Sequence, residues 1–180
     1  MSKNERSMPL YRLVICAFLV ALSIVCGKFL AIPVGEVLRF SFENLPILFA
    51  GLAFGPVAGV LVGASADLLG CVLRGYAVNP WVTAGAVLIG LSAGLGGVLL
   101  RRLPLVWRVV VTTLVAHLVG SVVVKTIGLS VYYAFPLWEL TLWRLLNYAI
   151  VGVAEAALLY LLLRNPGIRR FLPHRKGERL

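Results

Sequence analysis

The chain has 180 residues, of which 61% are apolar and 13% charged, and its mean hydropathy is +0.97. A soluble domain of this length has too little interior to hide so much apolar surface, so the composition excludes a water-soluble globular protein and selects an integral membrane protein. Seventeen Lys and Arg against seven Asp and Glu give a formal net charge of +10, which loop orientation in a membrane explains without a nucleic-acid partner.

A helix needs about 20 apolar residues to cross the hydrocarbon core. Six candidate helices fit, at residues 10–32, 45–55, 56–73, 83–100, 106–128 and 138–164. The expected architecture is all-α: one six-helix membrane domain over residues 1–180 with a short extended outer loop. The first apolar run is about 22 residues long and has no small-residue cleavage site, so it reads as a retained helix and not a signal peptide. Within it Ala17 and Ala21 form a small-x-x-x-small patch that permits close contact, with an internal neighbour or with a partner.

After this helix, Leu38-Arg39-Phe40-Ser41-Phe42-Glu43 alternates apolar with polar residues, the pattern of an extended segment with one charged face. Asn44-Leu45-Pro46 then starts the second helix. Gly51, Gly55, Gly59 and Gly63 recur every four residues and let backbones approach closely in lipid. Only Phe54-Gly55-Pro56 separates the second helix from the third, so this region is either one crossing or a pair with one short member. Asp67 in the third helix must stay protonated or find a partner: a cation, a neighbouring helix start, or a ligand's amidine-like edge.

In the later spans His117 stands without a second histidine nearby and reads as a hydrogen-bonded bundle residue, and Glu155 as an internal structural hydrogen bond. Arg144 lies about six residues, roughly 9 Å, inside the last span. It is expected either to pair with Glu43, Asp67 or Glu139 or to contact a ligand, with Asn147 on the same helical face.

Orientation follows from the cations. Lys3, Arg6, Arg12, Arg101, Arg102, Arg108 and the six between Arg164 and Arg179 fall on one side, which places both termini in the cytoplasm, as an even number of spans requires. The remaining five, Lys28, Arg39, Arg74, Lys125 and Arg144, run against that rule and lie at or near the outer side. Phe40, Trp81, Tyr133 and Trp138 accompany them. Cations with flat rings suit an anionic planar ligand, while interfacial aromatic belts and snorkelling side chains account for the same residues without one.

Metalloprotease, phosphate-loop and paired-aspartate motifs are missing from the sequence, and Cys16, Cys26 and Cys71 lack the spacing of a metal site or disulfide framework. No enzyme chemistry, cofactor or metal is expected.

The run from Leu38 to Pro46, with Gly51, Gly55-Pro56, Gly59, Gly63, Asp67-Leu68-Leu69-Gly70 and the later Gly90-x-x-x-Gly94, resembles the folate-family substrate-binding components of energy-coupling factor transporters. Trp143-Arg144-x-x-Asn147 resembles the family's basic motif in the last helix, with Asn147 where that motif carries lysine. The resemblance implies a six-helix vitamin-binding subunit in a bacterial cell membrane that captures folate, or a related pterin-glutamate vitamin, from outside. It also implies a transmembrane coupling subunit and two cytoplasmic ATPases as partners, with Ala17 and Ala21 docking on the coupling subunit. Expected ligand contacts are Lys28, Arg39, Phe40, Asp67 and Trp81 from the first half of the chain, and Lys125, Tyr133, Trp138, Arg144 and Asn147 from the second. Another vitamin or a queuosine precursor is the alternative ligand, and a structural membrane protein the alternative of a different class.

Overall fold

The computed structural model describes residues 10–29, 31–34, 38–75, 77–134, 136–169 and 172. Helix α1 spans Leu10–Phe29. Two short strands follow, β1 (Ile32–Val34) and β2 (Leu38–Phe40), paired antiparallel with Ile32 opposite Phe40. Helices α2 (Leu45–Phe54), α3 (Pro56–Arg74) and α4 (Pro80–Leu99) come next. The following rod has three parts: α5 (Leu105–Ala116), a π-helical segment (His117–Val124) and α6 (Lys125–Tyr133). Helix α7 (Leu137–Arg164) and the single turn α8 (Pro166–Arg169) end the described chain.

Five of these spans are long and apolar enough to cross a membrane. The exception is α2, whose 10 residues rise only about 15 Å, half a hydrocarbon core. The six helices expected from the sequence are therefore present, with the second as the short member of its pair.

Three boundaries differ from the expectation, each for a local reason. Helix α1 stops at Phe29, short of residue 32, because Pro33 disfavours helical backbone in the residue before it and the chain enters β1. Helix α4 starts at Pro80, earlier than residue 83: the Asn79 side chain accepts the Trp81 N–H at 3.0 Å, and proline suits the first helical position. The fifth span runs through Gly128 to Tyr133, because that glycine lies against Trp81 of α4 and packs instead of ending the helix.

The glycine pattern builds the centre of the bundle. Gly55 has φ 101°, a backbone that favours glycine, and its N–H bonds the Gly51 carbonyl at 2.8 Å as the chain reverses. Helices α2 and α3 thus fold back on each other, with Gly59 beside Gly51 and Gly63 beside Ile47. Both lie on α4. A Cβ on Gly59 would run into the Gly90 carbonyl, one on Gly63 into the Ala86 carbonyl, and one on Gly94 into the Pro56 backbone. In lipid, where apolar burial drives no association, such backbone contact supplies the dispersion that holds helices together. Around this centre, Leu48, Ile89 and Leu159 are wholly buried, whereas Leu10, Phe18, Phe29, Val72 and Leu99 face outward as lipid-facing side chains do.

Candidate functional site

A cavity of about 190 Å³ opens among α1, α2, α3, α4, α6 and α7, at the end of the bundle that carries the start of α2 and α4. Its walls are polar where a lipid-embedded bundle is otherwise apolar. The Ser23 hydroxyl of α1 donates to the Glu43 main-chain carbonyl at 2.6 Å, which ties the segment before α2 to α1. The Glu43 carboxylate then lies 3.9 Å from Arg74 at the end of α3 and, through its other oxygen, 3.9 Å from Lys125 at the start of α6. At that separation neither pair is closed by a hydrogen bond, and Glu43 is one-third exposed. Both cations remain available to a third group.

Asp67 accepts the Thr83 hydroxyl proton at 2.6 Å, across α3 to the first turn of α4, where unpaired helix N–H groups also favour negative charge. Lys125 is buried, with its aliphatic stem against Gly85 of α4, where a Cβ would collide with it. The glycine shapes the slot that aims this ammonium. Arg144 of α7 donates to the Ser121 carbonyl of the π-helical segment at 2.8 Å. Asn44 Oδ1, Asn79 Nδ2 and Arg74 Nε are buried without a hydrogen-bond partner, and all three residues line the cavity. A buried polar group left unbonded costs free energy that a ligand with matching edges recovers.

The sequence-predicted residues divide into three groups. Asp67, Lys125 and Arg144 line the cavity together. Phe40 is half-buried on β2, Asn147 is buried in α7, and Trp81 and Trp138 are 45% and 74% exposed; none of the four lines the cavity. Trp81 packs its Cβ and the base of its ring on Gly128, and Trp138 stands in the first turn of α7. The side chains of Lys28, Arg39 and Tyr133 lie outside the described residues.

Of the two outcomes expected for Arg144, an ion pair or a ligand contact, the described residues show no carboxylate pair. Glu43 faces Arg74 and Lys125, Asp67 is bonded to Thr83, and Glu139 is exposed, so Arg144 meets a main-chain carbonyl in place of a carboxylate. Glu155 does make an internal hydrogen bond, to His117. Ser23, Asn44, Arg74, Asn79 and Tyr148, outside the contacts expected from the sequence, also line the cavity. Arg74 did carry a signal, as a cation against the orienting pattern. Asn44 and Asn79 each stand just before a proline-started helix, which in sequence reads only as capping. Ala17 and Ala21 are exposed on the outer face of α1, away from the bundle's internal contacts.

The site offers two carboxylates, three cations and two amides in one compartment. It suits a polar molecule that presents both hydrogen-bond donors and acceptors.

Residues 11–164 match the family model for the substrate-specific component of ECF transporters. The chain is 28% identical over 151 residues to the folate transporter FolT of Clostridium novyi (strain NT), covering 80% of this chain and 83% of that one. Its fold resembles a crystal structure of FolT bound with folic acid, with a TM-score of 0.70 and 24% identity over 86% of this chain and 93% of that one. It also resembles the S-component for biotin from an ECF-type ABC transporter, with a TM-score of 0.62 and 19% identity over 96% and 100% of the two chains. From the matched span and the helical architecture, the chain belongs to the substrate-specific components of ECF transporters.

Proposed function

We propose that this protein captures folate, or a close pterin-glutamate relative, at the outer face of a bacterial cell membrane and delivers it within an ATP-driven transporter. The observation that carries the reading is the pairing of opposite charges in one cavity, Asp67 and Glu43 against Arg74, Lys125 and Arg144. A pterin presents an amino group and a ring N–H on one edge, which a carboxylate accepts, and a carbonyl oxygen beside them, which Lys or Arg donates to. The volume of about 190 Å³ falls below the roughly 300–1,000 Å³ that encloses a drug-sized ligand. It therefore takes the ring and leaves the benzoylglutamate tail towards the mouth; Lys28 and Arg39, whose side chains lie outside the described residues, are the proposed partners of the tail carboxylates. The 28% identity to a folate transporter supports the same ligand.

In this reading the end with the strands faces outward, while Arg101, Arg102, Arg164 and Arg169 lie at the opposite ends of their helices and face the cytoplasm with both termini. Partners are a transmembrane coupling subunit and two cytoplasmic ATPases, with Ala17 and Ala21 on the docking face. Exposure of both alanines beside Phe18 and Leu22 supports an external contact over internal packing.

The double variant Ala17→Trp with Ala21→Trp tests capture and delivery separately. Overpacking a close helix contact costs about 1–3 kcal/mol per site, so ATP-driven uptake should fall while folic acid affinity of the isolated protein stays unchanged. Retained uptake would move the docking surface elsewhere. Joint loss of binding and uptake would show that the patch supports the bundle.

A further inference from the structure

Below the cavity sits a buried polar pair that ligand capture as described does not use. Glu155 is fully buried and His117 is 3% exposed. Glu155 Oε2 lies 2.5 Å from His117 Nε2, and His117 Nδ1 lies 3.3 Å from the Ser121 hydroxyl, one widened turn further along the π-helical segment. The His117 ring stacks on Tyr148, centroids 4.7 Å apart and planes at 23°, and Tyr148 lines the cavity. Ser121 closes the chain: its main-chain carbonyl accepts from Arg144, which also lines the cavity.

We infer that His117 and Glu155 are positioning residues, which hold Ser121 so that its carbonyl sets the direction of the Arg144 guanidinium toward the ligand. The inference rests on the proposed reading that Arg144 contacts the ligand. Two ionisable side chains buried in a membrane bundle are costly, and an apolar pair would join α7 to the preceding rod without that cost. The polar pair adds direction. A π-helical turn, here marked by the Lys125 N–H bonding the Gly120 carbonyl five residues back, is a strained local geometry that needs side-chain support and recurs at functional sites. His117 opens this segment and anchors it to α7 through Glu155, four residues before the carbonyl that receives Arg144. Arginine has several free rotors, and a carbonyl carries a second lone pair with which to fix one of its nitrogens. The remaining guanidinium donors are then presented to the cavity in one orientation.

The test is a double-mutant cycle on the purified full-length protein, read by calorimetric titration with folic acid. Glu155→Leu should weaken binding about tenfold, within the range for residues that act without touching ligand. Glu155→Gln keeps a side-chain oxygen that accepts from His117 Nε2 and should restore affinity to within about twofold. Adding Glu155→Leu to Arg144→Ala should cost nothing further, since nothing is left to orient; an additive loss would reduce the pair to bundle packing and overturn the inference. Arg144→Ala with full affinity would instead refute the ligand contact itself, and the positioning role with it. Should Glu155→Leu fail to fold, the folded protein still answers. The chain has two histidines, His117 and His174, so ¹⁵N-histidine labelling resolves His117 directly. At saturating folic acid its ring-nitrogen signals should shift more in the unaltered protein than in Arg144→Ala, where only the stacked Tyr148 still connects ring and ligand; equal shifts in both, or none in the unaltered protein, would overturn the role.

Discussion

Gly90→Leu is expected to remove the folded protein from the membrane. A Cβ at residue 90 would overlap the carbonyl group of Gly59, and these are main-chain atoms that no side-chain rotation can move aside. Separating α3 from α4 by the width of a leucine also pulls Gly63 from Ala86 and Gly94 from Pro56, since all three contacts lie along one pair of helices. Core overpacking usually costs about 1–3 kcal/mol and more where the backbone must yield, so a loss above about 3 kcal/mol is expected. Gly70→Ala on α3, the partner helix of that contact, is the control. Its new methyl would meet nothing nearer than Ile24 at 3.9 Å, and exchanging a mid-helix glycine for alanine gains about 0.5–1 kcal/mol. Thermal unfolding in detergent reads both: Gly90→Leu should show no cooperative transition, and Gly70→Ala a midpoint equal to or above that of the unaltered chain. Equal midpoints for all three would mean that α3 and α4 do not pack through their glycines.

Arg144→Ala is expected to weaken folic acid binding by about 1.5–3 kcal/mol, the range for hydrogen bonds to a charged group, while the protein still folds. The structural part of that expectation follows from the partner. Arg144 donates to a carbonyl and not to a carboxylate, so its removal strands no buried negative charge. Calorimetry of the purified variant beside its unfolding midpoint separates the outcomes. Unchanged affinity removes Arg144 from the site, whereas a collapsed midpoint makes it a structural cation.

Much of the fold was legible because lipid leaves few options. Apolar runs of crossing length, Gly55-Pro56 as a break and four-residue glycine spacing are local patterns with one structural meaning each. Element ends were harder, since proline at residues 33 and 80 acts through its neighbours and its cap. The site was only half legible. Asp67, Lys125 and Arg144 announce themselves as charges inside apolar spans, where physics demands a reason. Trp81 and Trp138 did not resolve in the same way, because an aromatic ring at a membrane boundary has the same sequence appearance whether it meets a ligand or the interface. Ser23, Asn44, Asn79 and Tyr148 come together only through tertiary packing of α1, α4, α7 and the segment before α2. The π-helical segment had no sequence signal at all, since His117–Val124 reads as ordinary apolar helix. Ser121, which accepts from Arg144, nevertheless lies within it.

The central claim is the ligand, and calorimetric titration of the purified protein against folic acid, p-aminobenzoylglutamate, biotin, riboflavin, thiamine and a queuosine precursor tests it most directly. The expected result is saturable one-to-one binding of folic acid, with p-aminobenzoylglutamate far weaker because it lacks the ring proposed to meet Asp67, and no saturable binding of the other vitamins. Saturable binding of biotin, riboflavin, thiamine or the queuosine precursor in place of folic acid, or of none of the panel, would contradict it.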